Sequence, residues 1–129
     1  PQWRRAREQL PAAPSSVSRS RDLVADWLTT WSRPELISVA KLVVTVFVEN
    51  VLAHTNCGPA VRLQTHDTRV LLSGEDGSSA PAVRREYCEF GGTDVSGLAI
   101  VAAVSRKWGN LPTTSGKTVW AAIGPESTL

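Results

Sequence analysis

Apolar residues at Val17, Leu23, Val24, Trp27, Leu28 and Trp31 recur with the spacing of one helical face, and predict a first helix with Ser15-Ser16 as its N-cap. Ser32-Arg33-Pro34-Glu35 is a second start signal, with proline early in the turn and an acid near the positive helix end. Leu36, Val39, Ala40, Val43, Val44, Phe47, Val51 and Leu52 then form a wide apolar stripe, a second helix ending near Thr55-Asn56. After Cys57-Gly58-Pro59 the period changes. Ala60 to Thr65 alternates, His66-Asp67-Thr68 turns, and Arg69 to Ser73 reads as the partner strand of an antiparallel hairpin. Gly74 to Pro81 is dense in breakers, and the polar stretch to Asp94 has no period, so both read as a long loop. Val95-Ser96-Gly97 opens a third predicted helix through Leu98, Ile100, Val101 and Val104 to Trp108. Gly109-Asn110 ends it, Leu111-Pro112 is a candidate short strand, Thr113 to Gly116 turn, and Lys117 to Ile123 is the final strand. Residues 1–14 mix arginine with three prolines and read as a flexible lead-in or linker, residues 15–124 as the domain, and 125–129 as a tail. The order of elements predicts an α+β, two-layer sandwich: a mixed, mostly antiparallel sheet covered on one face by three helices.

At 129 residues the chain is one domain, too short for a multidomain enzyme, and the opening proline suggests a piece excised from a longer chain. The net charge of +2 is uneven: residues 1–22 carry +3 and residues 23–129 carry −1, so the domain has no broad basic surface and no direct nucleic-acid partner is expected. Two cysteines, Cys57 and Cys88, are too few for a disulfide framework or a four-ligand zinc site. With no secretory signal at the start, they point to a reduced, cytoplasmic setting. The apolar run Leu42 to Val48 is far short of the roughly 20 residues of a membrane span, so no membrane partner is expected. A thiol hydrolase built on Cys57 or Cys88 with His54 or His66 lacks a third orienting residue.

Four segments in order carry a resemblance: LPAAPSSVSRSRDLVADWL, VFVENVLAHT, GEDGSSAP, and GLAIVAAVSRKWG followed by SGKTVWAAI. Together they resemble the GHKL (Bergerat-fold) ATP-binding domain, in its bacterial anti-sigma-factor/serine-protein-kinase branch. The resemblance implies ATP or ADP with Mg2+ as cofactors, and a sigma factor or anti-sigma antagonist as partner, with homodimerisation left open. It implies that Asn50 supplies an amide oxygen to the magnesium, a hard cation that takes few protein ligands. Asp76 and Gly77 would form the adenine-reading first glycine box, Gly97 a phosphate-facing helix start, Thr118 a support at the adenine end, and His54 a pocket wall. Each also has a plain structural reading: a helix-end asparagine, an Asp-Gly turn, a helix-start glycine, an ordinary strand threonine.

Two positions depart from the pattern. The family's catalytic glutamate, four residues before the asparagine, is here Val46, which has no proton acceptor. Glu49 is a poor substitute, because one residue is about 100° of helical rotation. The phosphate loop has Val95-Ser96-Gly97 in place of Gly-x-Gly, with Gly91-Gly92 a few residues earlier. The expectation is thus a nucleotide-binding regulatory domain with impaired phosphotransfer and no assigned catalytic residue. The alternative is a nucleotide-free pseudokinase interaction module within a larger sensor or regulator.

Overall fold

The computed structural model describes residues 4–54, 57–66, 68–75, 107–113 and 116–125. Helix α1 (Ser15–Thr30) buries Ser16, Ser20, Leu23, Val24 and Leu28, one stripe at helical period. Its N-cap position is Pro14 rather than Ser15 or Ser16, and no side chain caps it. The Ser16 hydroxyl instead donates to the Pro11 carbonyl at 2.6 Å, tying the first turn to the preceding loop. At the other end, Arg33 N–H bonds the Leu28 carbonyl and Ser32 N–H the Thr29 carbonyl, the paired bonds of a Schellman cap. Ser32 takes the left-handed position there, with φ of 60°.

A single 3-10 turn (Pro34–Leu36) leads into helix α2 (Ile37–His54), which is buried at Val39, Ala40, Val43, Val44, Val46, Phe47, Val48, Asn50 and Val51. The stripe is broad because α2 packs on both α1 and the sheet. By length and composition alone, residues 34–53 could cross a membrane, more than the run Leu42 to Val48 suggests; here 56% of that apolar window is buried inside the fold, as in a core helix.

Strands β1 (Arg5–Gln9), β2 (Ala60–His66), β3 (Arg69–Glu75), β4 (Lys107–Thr113) and β5 (Gly116–Ile123) form one sheet in the order β1-β2-β3-β5-β4, with every pairing antiparallel. The hairpin and the last strand lie where the alternation predicts them, except that β3 runs on through Gly74 and Glu75, which the breaker pattern assigned to the loop. Two expectations need correction. Part of the lead-in is a sheet edge: Arg5–Gln9 pairs with Gln64–Ala60, and Leu10 enters the core. The alternation of exposed and half-buried positions in RAREQ suits an edge strand, and backbone pairing to β2 supplies what its mostly polar side chains cannot. Lys107 and Trp108 belong to β4, opposite Ala122 and Ala121, and not to a third helix. An apolar run followed by Lys-Trp-Gly fits either period, and pairing with β5 decides it. Residues 95–106, the body of that helix, lie outside the described residues, so two α-helices rather than three are described on the sheet.

Register divides the sheet into two faces. Val61, Leu63, Val70, Leu72, Val119, Ala121 and Ile123 are buried beneath the helices. Arg5, Arg7, Arg62, Gln64, Leu71, Ser73, Glu75, Thr118, Trp120 and Ala122 take the alternate positions on the other face. At the centre, Phe47 of α2 presses on Gly74 of β3, where an added Cβ would come within 2.7 Å of the Phe47 Cβ. Glycine here permits the close approach of helix and sheet.

Candidate functional site

The contact between Phe47 and Gly74 sets the last turns of α2 over the end of β3. Asn50 follows Phe47 by three residues, so it lies about one turn further along the same helix. The residue is only 8% exposed. Among the described residues the amide has no hydrogen-bond partner, although a buried amide left unpaired costs on the order of 1–3 kcal/mol. A buried amide inside an apolar helix face calls for a partner beyond the described residues, from the rest of the chain or from a ligand.

Val46 stands one turn before Asn50, is 7% exposed, and belongs to the same apolar cluster as Phe47 and Val43. Glu49 is exposed. The uninterrupted helix therefore sets positions 46 and 50 on one side and Glu49 on another. His54 is the last residue of α2, four residues after Asn50.

Thr118 is not brought together with Asn50. It pairs with Glu75, and the buried alternation of Val119, Ala121 and Ile123 puts it on the face away from the helices. A period of two makes this unavoidable once Val119 is in the core. Asp76, Gly77, Gly97 and the Val95-Ser96 loop lie outside the described residues. Gly74, two residues before Asp76, is on the helix face. Among the described residues there is no group of three or more histidine, cysteine or acidic side chains suited to a metal.

Two features escape the motif reading. Glu75 is held between two arginines, Arg7 at 3.4 Å and Arg62 at 3.5 Å, which fixes the end of β3 on the open face. No local pattern signals this, because the three residues come from three strands. Cys57, in the turn after α2, is disulfide-bonded, which corrects the expectation of a reduced thiol. A disulfide sulfur is not a free nucleophile, so a hydrolase built on Cys57 loses its attacking group. Cysteine count and spacing do not report oxidation state, and the chain's other cysteine, Cys88, lies outside the described residues.

No family model matches the chain, and no curated protein matches it.

Proposed function

We propose that this chain is a nucleotide-binding regulatory domain of the GHKL type, taking ADP or ATP with Mg2+ beside the C-terminal half of α2, and acting on a sigma factor or its antagonist through protein binding. The observation that carries the reading is the buried amide of Asn50, which has no hydrogen-bond partner among the described residues. Its carbonyl oxygen is a hard ligand of the kind magnesium accepts, and one protein oxygen suits an ion that keeps several waters and phosphate oxygens. Bound magnesium would supply charge neutralisation at the phosphates. Asp76, Gly77, Gly97 and His54 are the remaining residues of the proposal, on the ground of the four ordered segments. Thr118 is left out, since its face is the wrong one.

Phosphotransfer is impaired in this reading, because Val46 cannot orient or deprotonate a hydroxyl. The same valine favours the second reading, an interaction module without nucleotide. Its apolar side chain continues the core up to Asn50, where an active site would hold an acid.

Calorimetric titration with ADP and magnesium distinguishes the two. The nucleotide reading expects saturable, magnesium-dependent binding that weakens about tenfold or more in Asn50→Ala and in Asp76→Ala, a loss of the order of one specific hydrogen bond or ion contact. Absence of heat for the unmodified chain at millimolar nucleotide would leave only the interaction module.

A further inference from the structure

Strand β1 is an outer strand of the sheet, and its hydrogen bonds reveal which of its backbone groups are spoken for. Thr65 N–H donates to the Arg4 carbonyl at 3.0 Å, and Leu10 N–H donates to the Pro59 carbonyl at 2.8 Å. These bonds bracket the strand at even-numbered residues. In an antiparallel ladder the bonded positions alternate, so Ala6 and Glu8 direct N–H and C=O toward β2. Arg5, Arg7 and Gln9 direct theirs outward, and no partner receives them among the described residues. Three donors and three acceptors thus stand in strand geometry along the edge.

The side chains beside this edge are cationic. Arg5 and Arg7 are exposed, and Arg62 is half-buried beside Arg7 on the next strand. Glu75 is the one acid beside them on this face among the described residues, shared by Arg7 and Arg62 at 3.4 and 3.5 Å, while Arg5 has no ion pair among the described residues; Glu8 of β1 lies on the helix face, paired with Arg19 at 3.2 Å. A shallow cavity of about 270 Å³ opens at this place, lined by Arg5, Ala6, Arg7 and Arg62.

We propose that the outer edge of β1 is a docking site for an extended acidic peptide segment of a partner protein, which adds to the sheet as a sixth strand. Backbone groups of Arg5, Arg7 and Gln9 supply the ladder, and acidic side chains of the segment lie against Arg5, Arg7 and Arg62, where opposite charges across a strand pair attract. A second copy of β1 is the wrong occupant. An antiparallel copy can bond only where outward residues 5, 7 and 9 oppose one another, and the three such registers that overlap at least three of its five residues set Arg7 against Arg7, Arg5 against Arg7, or Glu8 against Glu8. The proposal does not depend on nucleotide binding.

The test is fluorescence anisotropy with a labelled peptide of alternating glutamate and valine, its lysine-valine counterpart, and a glutamate-valine peptide N-methylated at alternate residues. Saturable binding of the first alone is expected, with at least a tenfold loss on N-methylation and about a tenfold loss in Arg5→Glu, which leaves the Glu75 pairs intact. Arg7→Pro is a second variant, removing an outward N–H while sparing the bonds to β2. Hydrogen exchange should slow at the amides of Arg5, Arg7 and Gln9 in the complex. Three results would overturn the proposal: binding indifferent to N-methylation, tighter binding of a single-stranded oligonucleotide to the same arginines, or a β1-paired dimer of the free chain in sedimentation.

Discussion

Among the described residues Ser32 is the one non-glycine with a positive φ. It holds the left-handed position of the cap on α1, with φ of 60°, where glycine is usual because a Cβ crowds the neighbouring carbonyl. Ser32→Gly is expected to raise stability by up to about 1 kcal/mol, part of the relief being offset by greater freedom of the unfolded chain. Urea denaturation measures it, and a loss of stability would mean that the serine side chain contributes there. Next to it, Arg33 donates to Glu35 at 2.7 Å and to the Thr68 carbonyl at 2.6 Å, linking the α1–α2 elbow to the β2–β3 turn. The hydrogen bond from Arg33 holds the Glu35 carboxyl below its ordinary value of 4.5. A lowered folded-state value means stability that is present in full above pH 4.5 and is lost as pH falls through the folded-state value. Glu35 is half exposed, so water screens the pair and the effect is small. Glu35→Gln should therefore differ from the unmodified chain only slightly at neutral pH, and the difference should vanish in acid.

At the scale of elements, the seam between α2 and β3 decides both packing and site. Gly74→Ala forces a methyl against Phe47, with overpacking that should cost about 1–3 kcal/mol. Smaller side chains at 47 should then restore part of the loss, and additive costs for the two changes would refute the contact. Val46→Glu tests the site from the other side. Position 46 lies within the apolar cluster, so an unpaired carboxylate there should destabilise the fold by about 3–5 kcal/mol. Unchanged stability in Val46→Glu would show instead that position 46 opens on a polar cavity able to receive the acid that the GHKL pattern has there.

For the whole molecule, a single antiparallel sheet with helices on one face leaves the two faces with different tasks. The helix face holds the core and the Asn50 amide, while the other carries the arginines, Glu75 and Trp120. Charge counting gave the first 22 residues an excess of three positive charges. In the fold, part of that excess becomes one edge of the sheet beside Arg62, so a local composition bias turns into a directed surface.

Periodicity alone determined α1, α2, the β2–β3 hairpin and β5, because each buries one face and its apolar residues recur at 3.6 or 2.0. It also set Val46 and Asn50 on one side of α2, since four residues make nearly a full turn of an unbroken helix. Tertiary structure decided what depends on partners distant in sequence. RAREQ has too few apolar side chains to announce a strand, and becomes one only because β2 offers it a ladder. Lys107 and Trp108 are compatible with either period until β5 pairs with them. Thr118 changes from a candidate pocket residue to one on the opposite face once Val119 is buried, because register, which no local pattern encodes, fixes the face of every residue on a strand.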